Sequence, residues 1–135
     1  MKINDISFTF HTVRIKECVD FYVKYFGARV TFDCGWYVTI RFHGATDAPL
    51  SLSFMSPEYS SNPTALEGGI TLNIGVEDVD AEYAKIKAAG HGITRELEDQ
   101  KWGDRSFEVT DPIGNILYIY IPIEISEEYR ESMLE

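Results

Sequence analysis

The stretch Ile70-Thr71-Leu72-Asn73-Ile74 alternates apolar and polar residues, and it repeats an alternation found earlier at Ile6-Ser7-Phe8-Thr9-Phe10. A period of two predicts a β-strand with one buried face. Each stretch is followed by a segment with helical spacing and then by three more strand candidates. The 135 residues, a length typical of one domain, therefore predict an internal repeat in the order βαβββ.

Helix candidates occupy equivalent places in the two halves. In the first half, apolar residues between Ile15 and Phe26 recur every three or four positions, and Gly27 is suited to end the helix. In the second half, Asp78 is a candidate N-cap and Gly90 a candidate helix end. The strand candidates after the two helices are residues 28–33, 36–42, 50–55, 93–98, 106–110 and 116–121.

These elements predict an α+β fold made of two βαβββ modules. We expect the first module over about residues 5–56 and the second over about residues 69–122. The segment between them is rich in Ser, Pro, Asn and Gly, a composition typical of linkers. A C-terminal tail over residues 123–135 is expected to hold a short, partly exposed helix.

Composition and charge restrict the classes of partner. Hydrophobic residues make up 44% and charged residues 25% of the chain, which is typical of a globular domain. The net charge of −10 repels phosphate backbones and anionic lipids, so we expect neither nucleic acid nor membrane as a partner, and the charge favours cationic ligands. Cys18 and Cys34 lack metal-ligand spacing, and the opening residues lack a signal-peptide pattern. We therefore expect reduced thiols and a cytoplasmic location.

Three segments of the chain carry a family resemblance. The first is Val19-Asp20-Phe21-Tyr22 followed by Phe26-Gly27, and the second is Val76-Glu77-Asp78-Val79-Asp80-Ala81. The third is Trp102-Gly103-Asp104-Arg105-Ser106-Phe107 followed by Asp111-Pro112-Ile113-Gly114-Asn115, in which the Asp-Pro-Ile-Gly order also predicts a type I turn. In this order, on a doubled βαβββ pattern, they resemble the vicinal oxygen chelate superfamily, the glyoxalase, bleomycin-resistance and dioxygenase proteins.

The resemblance covers nearly all of the chain and implies a fold of paired modules, with each sheet curved around a cleft, in a homodimer. Members that use a metal place its ligands on the first and last strands of each module. The matching positions here are Ser7, Ser51, Thr71 and Tyr118. None of these side chains is a usual ligand of a divalent metal, and a slip of one residue in register would offer only apolar ones. We therefore expect no metal and no cofactor, as in the bleomycin-resistance-like branch.

The alternation also assigns the two faces of the strands. One phase is apolar and is expected to pack under the helices, through Ile6, Phe8, Phe10, Leu50, Leu52, Phe54, Ile70, Leu72, Ile74, Leu117, Ile119 and Ile121. The other phase combines small hydroxyls with aromatic rings, which suits a pocket wall, although a hydrated face or one covered by a partner chain has the same pattern. The predicted ligand-binding residues are Ser7, Thr9, Ser51, Ser53, Thr71, Asn73, Trp102, Tyr118 and Tyr120.

The leading hypothesis is a protein that binds a small aromatic or cationic molecule in this cleft without a metal. Trp102 is expected either to stack on the ligand or to anchor its loop, and Arg105 to pair with an acid. The alternatives are a metal-dependent lyase or dioxygenase of the same superfamily, a metal-free acid–base enzyme, and a regulatory module without a ligand. The candidate catalytic residues for the metal-free enzyme are His11, Glu108 and Tyr118.

Overall fold

Eight strands form two separate four-stranded sheets in this computed structural model, which describes residues 1–44, 50–65 and 67–134. The chain divides into two compact units, and each contains one sheet and one long helix. Unit 1 comprises Met1–Gly68 with Pro112–Gly114, and unit 2 comprises Gly69–Asp111 with Asn115–Glu135. The α+β fold class with two βαβββ repeats, predicted from the alternation, is confirmed. No helix in the described ranges is both long and apolar enough to span a bilayer.

Unit 1 has the order βαβββ followed by a short 3₁₀ helix. Its elements are β1 (Phe8–His11), α1 (Ile15–Phe26), β2 (Arg29–Asp33), β3 (Tyr37–Arg41), β4 (Ser51–Met55) and the 3₁₀ helix Pro57–Tyr59. The strands lie in the order β1-β4-β3-β2, with β1 parallel to β4 and the other pairs antiparallel. The first strand of the unit therefore pairs with the last.

Unit 2 repeats this topology. Its elements are β5 (Thr71–Gly75), α2 (Val79–Ala88), β6 (Arg95–Gln100), β7 (Asp104–Thr110), β8 (Ile116–Pro122) and the short α3 (Glu127–Arg130). The strands lie in the order β5-β8-β7-β6, with β5 parallel to β8. The predicted tail helix is present, but it covers only the four residues of α3.

The core of each unit lies between the long helix and the two inner strands. In unit 1, Tyr22 of α1 is fully buried and contacts the ring of Phe54 on β4. Gly27 ends α1 in the left-handed conformation at φ 63° and donates its N–H to the carbonyl of Tyr22, as predicted for a C-terminal cap. In unit 2, Asp78 caps α2 by accepting a hydrogen bond from the backbone N–H of Ala81 at 3.0 Å, which confirms the predicted N-cap.

Part of the predicted apolar face is exposed. Ile6, which lies before β1, is 73% exposed, and Phe8 at the start of β1 is 52% exposed. The reason is geometric, because α1 packs mainly on the inner strands β3 and β4, so that Phe10 is buried but the residues before it on the outer strand β1 are not. All five residues of the edge strand β2 are exposed for the same reason. The prediction that Ile6 and Phe8 pack under the helix is wrong.

Candidate functional site

The two faces of β8 differ in chemistry. Leu117 and Ile119 are buried on the side of α2, while Tyr118 and Tyr120 lie half-buried on the opposite side. Strand β7 pairs with β8 so that Glu108 lies opposite Tyr118 and Ser106 opposite Tyr120. Cross-strand partners share one face of a sheet. We call this side the Tyr118 face, and its residues are Thr71, Asn73, Arg95, Glu98, Trp102, Asp104, Ser106, Glu108, Tyr118 and Tyr120.

The Tyr118 hydroxyl is the centre of a hydrogen-bond network on this face. It donates to the Asp104 carboxylate, with oxygen–oxygen distances of 2.8 and 2.9 Å. It accepts from the Ser106 hydroxyl at 3.0 Å and from the indole Nε1–H of Trp102 at 2.9 Å. The same indole N–H also lies 2.8 Å from Asp104 Oδ2. The phenolic oxygen of Tyr118 on β8 thereby joins Asp104 and Ser106 of β7 to Trp102 in the turn before β7.

Arg95 of β6 extends the network. Its guanidinium lies 5.1 Å from the centre of the Tyr118 ring, and Nη2 donates to Ser106 Oγ at 2.9 Å. The Nε atom is 3.5 Å from a carboxylate oxygen of Glu108, and Nη1 is 3.7 Å from one of Glu98. A directed chain of donors therefore runs from Arg95 through Ser106 and Tyr118 to a carboxylate. Such a chain fixes the orientation of every side chain in it.

The environment of Tyr118 keeps its phenol protonated. Desolvation by burial raises the pKa of Tyr118 above its ordinary value, and the neighbouring Asp104 carboxylate adds to the shift. At neutral pH the hydroxyl is therefore a hydrogen-bond donor rather than a phenolate nucleophile or base. Its proton is directed at Asp104, while its oxygen accepts from two other groups.

Trp102 gives the Tyr118 face an exposed aromatic edge. It lies in the turn between β6 and β7 and is 48% exposed although its indole N–H is hydrogen-bonded. Further along the face, Tyr120 covers Gly75 of β5, and a Cβ at that glycine would lie 3.6 Å from the ring. Thr71 and Asn73 of β5 are also exposed on this face, and Asn73 lies opposite Tyr118 in the strand register.

The predicted pairing of Arg105 with an acid is confirmed, because Arg105 binds Asp80 and Asp99 outside the Tyr118 network.

The charge on the Tyr118 face is negative. Glu98, Asp104 and Glu108 contribute three carboxylates to the face, whereas Arg95 contributes one guanidinium. The indole of Trp102 lies beside the Asp104 carboxylate, which forms no ion pair with a cationic side chain in the described part of the chain. An aromatic ring beside such a carboxylate attracts planar cations by stacking, cation–π contact and charge.

Unit 1 carries a smaller hydroxyl cluster on its own polar face. Thr9 Oγ1 lies 3.2 Å from the Tyr37 hydroxyl, and Thr39 Oγ1 lies 2.8 Å from Ser53 Oγ. Hydrogen bonds from Ser53 and Thr9 lower the pKa of Tyr37. Tyr37 and Thr39 were not among the predicted site residues, although the alternation of Tyr37 and Thr39 with the buried Val38 along β3 was a usable signal. Of the predicted residues, Thr9 and Ser53 belong to this cluster.

The remaining predicted residues of unit 1 are more dispersed. Ser7 comes directly before β1, and Ser51 is the first residue of β4. His11 ends β1 beside its strand partner Met55. Among the three catalytic candidates, the structure therefore places only Glu108 and Tyr118 opposite each other.

A groove of about 390 Å³ in unit 1 lies away from all of the predicted ligand-binding residues. It is bordered by the start of α1, the turn before β3 and the 3₁₀ helix. The rings of Trp36 and Tyr59 stack in its wall with their centres 4.5 Å apart. The groove is open, and its charged side chains, Lys16 and Glu58, are exposed.

The donor atoms at the four family ligand positions do not fit a divalent metal. Ser7, Ser51, Thr71 and Tyr118 offer neutral hydroxyls, and burial holds the phenol of Tyr118 in its protonated form. Across residues 1–44, 50–65 and 67–134, no group of three or more His, Cys, Asp or Glu side chains could hold a metal ion.

The family assignment follows from the sequence match over this fold. The family model described as glyoxalase/bleomycin resistance protein/dioxygenase superfamily matches residues 7–119. The chain belongs to this superfamily. A solved structure with a similar fold is that of a superfamily member from Sphaerobacter thermophilus. It matches with a TM-score of 0.67 and 23% sequence identity, and the match covers 88% of this chain and 98% of that chain.

Two mycobacterial relatives of this superfamily member share more of its sequence. The uncharacterised protein Mb0911c of Mycobacterium bovis is 38% identical, over 73% of this chain and 70% of that protein. The uncharacterised protein Rv0887c of Mycobacterium tuberculosis is also 38% identical, and the chain spans 63% of its length.

Within the superfamily signature, the structure gives Asp111 and Asn115 a structural role. The buried Asp111 carboxylate accepts hydrogen bonds from the backbone N–H of Asn115 at 2.8 Å and from its side-chain amide at 3.0 Å. These bonds close the turn before β8, as predicted for Asp111. The turn in this way sets the start of the strand that carries Tyr118.

Proposed function

We propose that this superfamily member binds a small, planar, positively charged molecule on the Tyr118 face without a divalent metal. The observation that carries the proposal is the half-exposed indole of Trp102, whose N–H is hydrogen-bonded to the carboxylate of Asp104 and to the hydroxyl of Tyr118. A ring stacked on this indole places its positive charge near that carboxylate. The contacts then combine stacking, cation–π attraction and charge pairing.

Two further features support the proposal. The network from Arg95 to Asp104 holds the face in place before a ligand arrives, which reduces the entropy lost on binding. The exposed Thr71 and Asn73 add polar groups that can orient a ligand at the β5 side of the face. The predicted homodimer and cytoplasmic location belong to the same proposal, and sedimentation equilibrium at micromolar concentration tests the dimer.

The first experiment compares two planar probes of opposite charge. Proflavine is a flat cation, and acridine-9-carboxylate is a flat anion of similar size. We expect proflavine to raise the melting temperature and to quench tryptophan fluorescence in a Trp36→Phe variant, in which Trp102 is the remaining tryptophan. The anion is expected to do neither, and added salt should weaken the proflavine effect.

The two tryptophans provide a matched control. Trp36 also lies at the surface, and it stacks on Tyr59 in unit 1. We expect Trp102→Ala to remove the proflavine-induced shift and Trp36→Ala to preserve it. Equal binding by both variants, or equal binding of cation and anion, would contradict the proposed site.

A metal-free acid–base enzyme is the second candidate, and the donor chain from Arg95 through Ser106 and Tyr118 to Asp104 favours it. In such an enzyme the Asp104 carboxylate at the end of the chain would accept a proton from a bound molecule, because Arg95 at the other end does not release one. Deuterium exchange in D₂O separates the two functions when the probe is a planar cation with an acidic C–H bond, such as 1-(2-oxopropyl)pyridinium. An acid–base enzyme removes the proton next to the carbonyl group and returns a deuteron faster than the protein-free control, whereas a binding protein leaves the exchange rate unchanged. Metal content tests the metal-dependent lyase or dioxygenase alternative.

A further inference from the structure

The C-terminal segment after β8 packs against the turn that carries Trp102. We call residues 123–130 the C-terminal strap. The backbone N–H of Ile123 donates to the carbonyl of Gly103, and that of Ser126 donates to the carbonyl of Lys101, both at 2.9 Å. The side chains of Lys101 and Glu128 add an ion pair at 3.5 Å. The strap is thus attached on both sides of Trp102.

Gly103 shows how closely the strap approaches the turn. Its φ is 104°, a conformation that side chains other than glycine rarely adopt. A Cβ built at this position would lie 3.2 Å from Cβ of Ile125 and 3.4 Å from its Cα. The glycine therefore permits both the tight turn and the close packing of the strap.

One aromatic side chain of the strap reaches Trp102 itself. Tyr129 of α3 meets the indole of Trp102 edge-to-face, with ring centres 6.3 Å apart and an interplanar angle of 84°. The Nε1 atom of the same indole bonds to Asp104 and Tyr118. The indole is therefore held both by the strap and by the hydrogen-bond network of the sheet.

We propose that Tyr129 is a positioning residue, through which the C-terminal strap holds the Trp102 indole in the orientation that forms the aromatic edge of the Tyr118 face. The ligand role of this orientation rests on the proposed function. Trp102 lies in a turn with half of its surface exposed, so two hydrogen bonds to one atom leave the ring free to swing around that atom. The edge contact with Tyr129 removes this freedom.

The position of the indole can be measured without any ligand. The exchange rate of each indole Nε1–H with solvent is observed by ¹⁵N NMR, and Trp36→Phe assigns the two signals. We expect Tyr129→Ala to accelerate the exchange of the Trp102 Nε1–H by about ten-fold, which is the factor expected from the loss of one aromatic contact. Tyr129→Phe retains the ring and should leave the exchange rate unchanged. Tyr59→Ala is the matched control, because it removes the aromatic partner of Trp36 instead.

The remaining backbone resonances show whether each variant is folded. If Tyr129→Ala unfolds the strap generally, Tyr129→Leu keeps the apolar bulk and removes only the aromatic edge. Accelerated exchange at Trp102 in this variant supports the inference. Unchanged exchange in both Tyr129→Ala and Tyr129→Leu overturns it, and so does equal acceleration in Tyr59→Ala.

Proflavine affinity separates this inference from the proposed function. If the wild-type chain binds proflavine, we expect Tyr129→Ala to weaken binding by about ten-fold and Tyr59→Ala to leave it within two-fold. Full affinity in Tyr129→Ala would overturn the ligand role of Tyr129. If the wild-type chain does not bind proflavine, the proposed function fails, and the exchange rates alone then decide whether Tyr129 positions Trp102.

Discussion

The indole nitrogen of Trp102 and the phenolic oxygen of Tyr118 lie 2.9 Å apart, although the residues are 16 positions apart in the sequence. One belongs to the turn between β6 and β7, and the other lies in the middle of β8. This bond connects a turn to a strand of the sheet. It therefore makes the stability of the strand and the orientation of the turn interdependent.

Removal of the Tyr118 hydroxyl is expected to destabilise the chain. Tyr118→Phe deprives Asp104 of a donor and deprives Trp102 and Ser106 of an acceptor. We expect a loss of about 1 kcal/mol in the free energy of unfolding, measured by urea denaturation. Tyr120→Phe on the same face is the control and should change stability by less than about 0.5 kcal/mol. An equal effect of both substitutions would show that the network contributes nothing.

Tyr37 and Tyr118 are expected to titrate on opposite sides of the ordinary tyrosine pKa of about 10. Burial raises the pKa of Tyr118, so its contribution to stability is complete below the unfolded pKa and is lost as the pH rises through the folded pKa. Hydrogen bonds from Ser53 and Thr9 lower the pKa of Tyr37, so its contribution increases as the pH rises through the folded pKa towards the unfolded one.

The measurement is a pH titration of the tyrosine Cζ signals by ¹³C NMR. The Tyr37→Phe and Tyr118→Phe variants assign these signals, because each variant lacks one of them. Tyr37 should titrate below the ordinary tyrosine pKa of about 10, and Tyr118 above it. The reverse order would mean that the hydroxyl cluster of unit 1 does not favour the phenolate, or that Tyr118 is not desolvated.

The N-cap of α2 is expected to stabilise unit 2. Asp78→Ala removes the acceptor of the Ala81 N–H and leaves the first turn of the helix without its cap. We expect the free energy of unfolding to decrease by about 1 kcal/mol, while Asp78→Ser, which retains a capping oxygen, should lose little. Thermal unfolding of the three proteins at one pH checks this. Similar melting temperatures for the alanine and serine variants would rule out capping as the cause.

Metal content tests the prediction that the four family ligand positions of this chain do not bind a divalent metal. The hydroxyls of Ser7, Ser51, Thr71 and Tyr118 are poor ligands for Fe, Ni, Zn or Mn. We therefore expect elemental analysis of protein purified without chelator or affinity tag to find far less than one such metal per protomer. Treatment with EDTA should leave the melting temperature unchanged. About one metal per protomer would instead favour a metal-dependent lyase or dioxygenase.

The backbone of both units was predictable because local signals agree with the fold. The alternation at Ile70–Ile74 predicted β5, and Asp78 and Gly27 marked helix ends that the structure confirms. Exposure of Phe8 was not predictable in the same way. An alternating pattern shows which side chains share a face, but it does not show which strands the helix covers.

The Tyr118 network was only partly predictable, because it depends on pairing between strands. The predicted strand covered residues 106–110, whereas β7 begins at Asp104 and pairs this residue with Pro122. Arg95 was expected within a strand, but its reach to Ser106 and Tyr118 depends on the irregular register between β6 and β7. The contact between Tyr129 and Trp102 joins distant parts of unit 2 and leaves no periodic signal in the sequence.

Parallel pairing of the first and last strands in each unit has a kinetic consequence. Phe8 pairs with Leu52 and Thr71 with Ile116, so every intervening element of the unit must be folded back before these strands can meet. Antiparallel neighbours such as β3 and β4 close shorter loops and can form earlier. Contacts of long sequence separation slow folding. We therefore expect β1 and β5 to dock late, after the transition state, so that substitutions in these two strands mainly accelerate unfolding.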